Sequence, residues 1–177
     1  QDMPGASHAR ATAHFYNISP RDGSVFLVAQ PYIVLNKVLK PEKAKYEPTE
    51  FRYIGRLAPI NQVGFVRKDS GVTSVADLKT RHIAFGAGGP SGPAALVPWM
   101  MNNLIGTKNT VTRGYSGSAR WFLALVHNEV QGIGSFDYGE LMKRTKDVDV
   151  NLLYFIGLKR WSKLPDVPAV VELMEDD

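Results

Sequence analysis

The glycine-rich run Gly86-Ala87-Gly88-Gly89-Pro90-Ser91-Gly92 constrains this chain more than any other stretch. It follows a short apolar segment, His82-Ile83-Ala84-Phe85, that reads as a strand, and it precedes a helical stretch from about Ala94 to Leu104. Strand, glycine loop and helix start together form a geometry that holds an anion. The first helical turn leaves backbone N–H groups unpaired, and the helix dipole adds about half a positive charge there. Glycines let the backbone come close to a ligand. A plain surface turn has the same composition; a second, similar loop downstream shifts the balance toward function.

The rest of the chain alternates. Residues from about Ser7 to Asn17 read as a helix, ended by Pro20 and the turn Arg21-Asp22-Gly23. Val25-Phe26-Leu27-Val28-Ala29 is a continuous apolar run and reads as a buried strand closed by Gln30-Pro31. Residues 36–50 read as a loop with at most a short helix, and Phe51 to Leu57 and Val63 to Val66 as strands. Ser74 is expected to cap a short helix through Asp77 to Lys79. Thr110 to Arg113 is a strand candidate, followed by the loop Gly114-Tyr115-Ser116-Gly117-Ser118 and a helix from Ala119 to His127 with Trp121, Phe122 and Leu125 inward. Gln131 to Phe136 reads as a strand, Tyr138 to Arg144 as a helix, and Val148 to Ile156 as a last strand. This order predicts a mainly parallel α/β sheet, in which ligands bind beyond the carboxyl ends of the strands. The loops after Ala29, Phe85 and Arg113 hold such positions. Pro98 is expected to bend or interrupt the helix after Gly92. The chain opens through Pro4-Gly5-Ala6 into a helix with no strand ahead of it, which predicts an incomplete first domain.

Among 177 residues, 44% are hydrophobic and 21% charged, the balance of a soluble globular protein. There is no cysteine, hence no disulfide or thiolate chemistry. His8, His14, His82 and His127 lack metal-ligand spacing, so neither a metal nor a cofactor is expected. The net charge of +4 favours an anionic partner. The basic residues are scattered without interleaved aromatics, which argues against nucleic acid. No apolar run reaches transmembrane length. Gln1-Asp2-Met3-Pro4 has neither the basic nor the apolar part of a signal peptide, as in a mature or truncated exported protein. Glu172, Glu175, Asp176 and Asp177 read as a solvated acidic end.

Two enzymatic readings compete. Gly86, Gly88 and Gly92 fit a loose dinucleotide pattern, with Arg113 placed to read a 2′-phosphate of NADP. Pro93 and Pro98 in the following helix and the missing acidic residue on the next strand oppose it. Gly114 to Ser118 approaches the nucleophile elbow of hydrolases, but the final glycine is Ser118, and His127 lies in the next helix. Helix capping by Ser116 and Ser118 explains those hydroxyls as well. Trp99, Trp121 and Trp161 read as core anchors. No close carboxylate pair supports glycosidase chemistry.

Several segments occur in an order that resembles the substrate-binding proteins of tripartite tricarboxylate transporters, the Bug family. They are Met3-Pro4-Gly5-Ala6-Ser7, Pro20-Arg21-Asp22-Gly23 with Val25 to Ala29, and Tyr46-Glu47-Pro48 before Phe51 to Gly55. Gly86 to Gly92 with Leu104 to Lys108, Gly114-Tyr115-Ser116-Gly117, and Leu164-Pro165-Asp166-Val167-Pro168 complete the set. Gln131 departs from the family's usual Asp, and Gly92-Pro93-Ala94 replace hydroxyl side chains common in the family, which shifts the expected binding toward backbone amides.

The resemblance implies a periplasmic-binding-protein-like α/β fold of the type II, Venus-flytrap kind, with two lobes and the first incomplete. Residues 1–67 and 148–177 would be partial lobe one and 68–147 lobe two, with hinges at Val66-Arg67 and near Leu153. The family's first strand and ligand loop would precede Gln1, and its return into lobe one would follow Asp177. It further implies a non-enzymatic periplasmic or membrane-associated extracytoplasmic receptor that delivers a small di- or tricarboxylate to a membrane permease. The expected ligand-binding residues are Gly88, Gly89, Pro90, Ser91 and Gly92, then Tyr115, Ser116 and Ser118. Gln30 and Tyr32 would face them from lobe one. Asp137 would order the loop or meet the ligand, with capping of the helix at Tyr138 an equal reading. An exposed lobe-one edge at Val25 to Ala29 would favour a homodimer.

Overall fold

The computed structural model describes Met3 and residues 8–174; the Pro4-Gly5-Ala6 segment, the expected helix start at Ser7 and the acidic end Glu175–Asp177 lie outside the described residues. The chain divides into two compact units, Gln1–Leu57 and Ala58–Asp177.

In the first unit, α1 spans Ala9–Asn17 and α2 spans Ile33–Leu39. A small apolar centre forms from Ile33, Ala44 and Tyr46, with Tyr16 and Phe51 packed around it. The Tyr46 hydroxyl donates to the Ile33 carbonyl at 3.0 Å, so the one buried phenol is satisfied. Val25 to Ala29 is not a strand, and Val25, Phe26 and Val28 are exposed. Phe51 to Leu57 is likewise irregular, with Ile54 and Leu57 exposed. Both expectations fail for one reason: a strand needs a ladder partner, and the described residues of this unit form helices and loops only. Apolar runs identify burial partners poorly when no neighbouring strand exists to receive them.

The second unit is built on one five-stranded sheet of order β3-β2-β4-β1-β5. Its strands are β1 (Gln62–Arg67), β2 (His82–Ala87), β3 (Lys108–Arg113), β4 (Gly132–Asp137) and β5 (Val150–Phe155). β2 pairs in parallel with β3 and β4, whereas β1 runs antiparallel between β4 and β5. The sheet is therefore mixed, with β1 opposed to the other strands. β1 and β5 are full members of this sheet, and the boundary between the two compact units falls after Leu57. Val66 and Leu153, the expected hinge positions, are buried in its core.

α3 (Pro93–Ile105) covers the sheet with Val97 and Met101, which join Phe85, Leu78 and Tyr154 in one apolar cluster. α4 (Ser118–Val126) and α5 (Tyr138–Arg144) supply Phe122, Leu125 and Leu141 to a second cluster with Phe65, Ile133 and Phe136. α3 begins at Pro93, whose fixed φ suits a first helical turn, and it passes uninterrupted through Pro98. The expected interruption is absent because the sheet makes room. Pro98 is buried over Gly134, where a side chain would collide with the proline ring and lie 2.8 Å from the Ala94 carbonyl. Ser74 does not cap the short turn of helix at Ala76–Lys79. The roles are reversed: the Asp77 carboxylate accepts from the backbone N–H groups of Thr73 and Ser74 at 2.9 and 3.0 Å.

Candidate functional site

Parallel pairing of β2 with β3 and β4 brings three strand ends to one edge of the sheet. The loop 88–92 leaves β2, the loop 114–117 leaves β3, and Asp137 ends β4. From β2 the chain crosses through α3 to β3 on one side, then returns through α4 to β4 on the other. A reversal of this kind opens a crevice beyond the carboxyl ends of the strands.

The two loops are clasped together. The Gly114 N–H donates to the Gly88 carbonyl at 3.1 Å. A Cβ at Gly88 would lie 3.1 Å from the Tyr115 carbonyl and 3.2 Å from the Trp121 ring, tighter than ordinary contact, so the bare glycine suits this approach. The Trp121 indole N–H in turn donates to the Tyr115 carbonyl at 3.1 Å. Gly114 and Gly117 turn the second loop at φ 109° and 81°, conformations open to glycine. Gly88, Gly89, Ser91 and Gly92 are half-buried and Pro90 is exposed. Gly92 and Gly117 immediately precede α3 and α4, and neither helix has a side-chain cap or an acidic residue in its first turn. Ser116 and Ser118 are exposed at this edge, and neither caps α4.

The Tyr115 ring lies over Gly86 beside Val130, and its hydroxyl donates to Glu129 Oε2 at 3.3 Å. Burial, then the Glu129 charge, push this phenol up from its ordinary value. Tyr115 thus offers its backbone to the loop edge while its hydroxyl points back toward the start of β4. Asp137 caps α5, accepting from the Glu140 N–H at 3.0 Å. Gln30 and Tyr32 belong to the first unit at the start of α2, where the Gln30 carbonyl accepts from the Ile33 N–H at 3.2 Å. Gln131 immediately precedes β4 and ties to β2: its Oε1 accepts from the Ala84 N–H at 3.0 Å.

Sequence reasoning missed how two tryptophans and an arginine frame the loops. Trp121 braces Gly88 as described. Trp99 on α3 lies under the Arg113 guanidinium, 6.0 Å from ring centre to charge. Register decides this meeting, since Arg113 pairs with Ala87 at the foot of the glycine loop, and register is invisible in a single chain.

An open groove of about 490 Å³ lies elsewhere, lined by Arg67, Lys68, Asp69, Val126, Asp147, Val148 and Asp149. It sits at the opposite end of the sheet, where β1 finishes. Arg67 is consumed there as a structural clasp. Its Nη1 donates to the Leu125 and Val126 carbonyls at 2.7 and 3.1 Å, and its other face pairs with Asp69. Ser116 has no histidine within reach in the second unit: it precedes α4 and His127 follows it, a separation of roughly 13 Å along the helix, while His82 opens β2 at the far edge. Among the described residues no group of His, Cys, Asp or Glu side chains could hold a metal ion, and no helix is long and apolar enough to cross a membrane.

No family model and no curated protein sequence matches this chain. Solved structures do. It is similar to Rpa4515 of R. palustris, solved with adipate, at 22% identity over 75% of this chain and 46% of that one, with a TM-score of 0.60. It is similar to the periplasmic binding protein BugD at 19% identity over 64% of this chain and 39% of that one, with a TM-score of 0.53. MatC (Rpa3494) of Rhodopseudomonas palustris, solved with malate, gives 16% identity over 64% and 40%, with a TM-score of 0.51. The chain thus has the fold of periplasmic solute-binding proteins, and its structural neighbours are of the Bug type that its motifs resemble. It spans less than half the length of each of these three structures.

Proposed function

We propose that this chain is part of an extracytoplasmic solute-binding protein of the Bug type, which takes a small carboxylate at the edge formed by loops 88–92 and 114–117. The observation that carries this reading is the pair of clasped glycine loops feeding two helices whose first turns have neither caps nor acids. The positive ends of two helix dipoles suit a carboxylate. The Ser116 and Ser118 hydroxyls at the same edge add donors of the right kind. The neighbours solved with adipate and with malate support the ligand class. BugD, a periplasmic binding protein, supports the compartment. Delivery to a membrane permease and closure between two lobes belong to the same proposal and rest on the family resemblance.

Calorimetric titration of the chain with adipate, malate, succinate and citrate tests it, with NADP and a p-nitrophenyl ester as probes of the enzymatic readings. Saturable binding of one of these carboxylates, with no NADP binding and no ester turnover, is the expected result. Binding of NADP alone, or turnover that Ser116→Ala abolishes, would replace this reading with an enzymatic one.

A further inference from the structure

Arg113 is the last residue of β3, and its backbone lies beside Ala87, immediately before the glycine loop. Its side chain is exposed and has no carboxylate partner among the described residues, whereas Arg67 and Arg160 are paired with Asp69 and Glu172. The guanidinium is held over the Trp99 ring. Trp99 is itself fixed, packed with Ala87, Ala94, Ala95 and Val111 between α3 and the sheet. A guanidinium lying on an aromatic face keeps its in-plane N–H donors free at the rim, already oriented, and these match a carboxylate two by two. The aromatic support lowers the cost of ordering a long side chain on binding.

We propose that Arg113 sets the charge of the ligand: while one carboxylate lies against the loop amides, a second pairs with the Arg113 guanidinium, so the site selects dianions over monoanions of the same length. The inference rests on the carboxylate reading above and adds a residue and a valence to it. Lysine would not serve equally, because a compact ammonium lacks the planar fork and stacks poorly on Trp99.

The test is calorimetric titration of the whole chain and of Arg113→Gln and Arg113→Lys with adipate and with its monomethyl ester, far-UV circular dichroism confirming the fold of each. The original chain should prefer adipate by about tenfold or more, the worth of a charge-assisted pair. In Arg113→Gln that preference should disappear through weaker adipate binding, with the monoester changed less than about twofold; Arg113→Lys should retain part of it. Should Arg113→Gln fail to fold, Arg113→Lys alone decides, and a full preference in it refutes the fork geometry. An undiminished preference in Arg113→Gln, or an equal loss for both ligands, overturns the assignment while leaving the carboxylate site standing. Absence of binding by the original chain to either ligand overturns both.

Discussion

Replacing Gly88 by alanine should separate the two loops. The added methyl would sit 3.1 Å from the Tyr115 carbonyl oxygen and 3.2 Å from the Trp121 ring, inside the 3.4–4 Å of ordinary contact. Neither neighbour is free to retreat. The Tyr115 carbonyl is tied to the Trp121 indole at 3.1 Å, and Trp121 packs against the buried Ala87, Ala94 and Ala95. Relief must therefore lengthen that hydrogen bond or shift the indole out of its contacts. Overpacking of this kind costs about 1–3 kcal/mol and a weakened neutral hydrogen bond about 1 kcal/mol. A net loss of about 2 kcal/mol corresponds to a midpoint lower by roughly 8 °C for a unit of this size. Carboxylate affinity should fall about tenfold with it, since donors displaced by a few tenths of an ångström no longer converge. Thermal and urea unfolding with calorimetry measure both effects. Gly55→Ala is the control, because a Cβ there meets nothing within 4 Å. If Gly88→Ala unfolds and binds like Gly55→Ala, the loops are not clasped and the reasoning fails.

Gly64→Ala should be far more damaging, because the new methyl would overlap the ring of Tyr154, which is fully buried with its hydroxyl on the Gly134 carbonyl. A loss of about 3 kcal/mol or more is expected in urea unfolding, against near-neutrality if the sheet simply relaxes. Arg67→Met should cost about 2 kcal/mol by stripping the Leu125 and Val126 carbonyls of their donor at the end of α4, and Asp69→Asn much less, since Asp69 is exposed; equal costs would contradict the clasp. Asp77 is held below the ordinary carboxylate range by the backbone N–H groups of Thr73 and Ser74. Its stabilising effect is full at neutral pH and lost as pH falls below roughly 4 through the folded value, so Asp77→Ala should be less stable than the parent at pH 7 and converge with it in acid. A difference independent of pH would rule that origin out.

Much of the second unit could be read in advance because its determinants are local. Tyr138 to Arg144 opens behind an aspartate and closes on basic residues, and the helix occupies those positions. His82 to Phe85, followed by glycines and Pro93, marks strand, loop and helix start without reference to anything else. The failures came where a partner decides. Val25 to Ala29 has the composition of a strand, and the described residues of its unit form no strand for it to lie against. Pro98 has the signature of a break, which a missing side chain at Gly134, thirty-six positions away, accommodates. The candidate site divides the same way: the glycines were legible, whereas the bracing by Trp121 and the Arg113–Trp99 contact depend on register and packing.

Asp137 separates the two ways this edge could recognise a ligand. Three helices begin here, and only α5 has an acid at its start, with Asp137 as its cap and Glu140 in its first turn. The positive end of α5 is thus answered from within the chain, while those of α3 and α4 are not. β4 neighbours β2 in the sheet, and Asp137 ends β4 at the edge from which the glycine loop leaves β2. A carboxylate ligand would be repelled by the Asp137 carboxylate, by about 1 kcal/mol or less in a watery cleft. The ligand is therefore expected toward the β2–β3 side, near Arg113, with Asp137 as a boundary. Asp137→Asn keeps a competent cap and removes the charge. Its adipate affinity should be unchanged or up to about fivefold tighter, with the gain fading at high salt. A loss of tenfold or more, with the melting temperature preserved, would make Asp137 a direct contact and move the site toward β4.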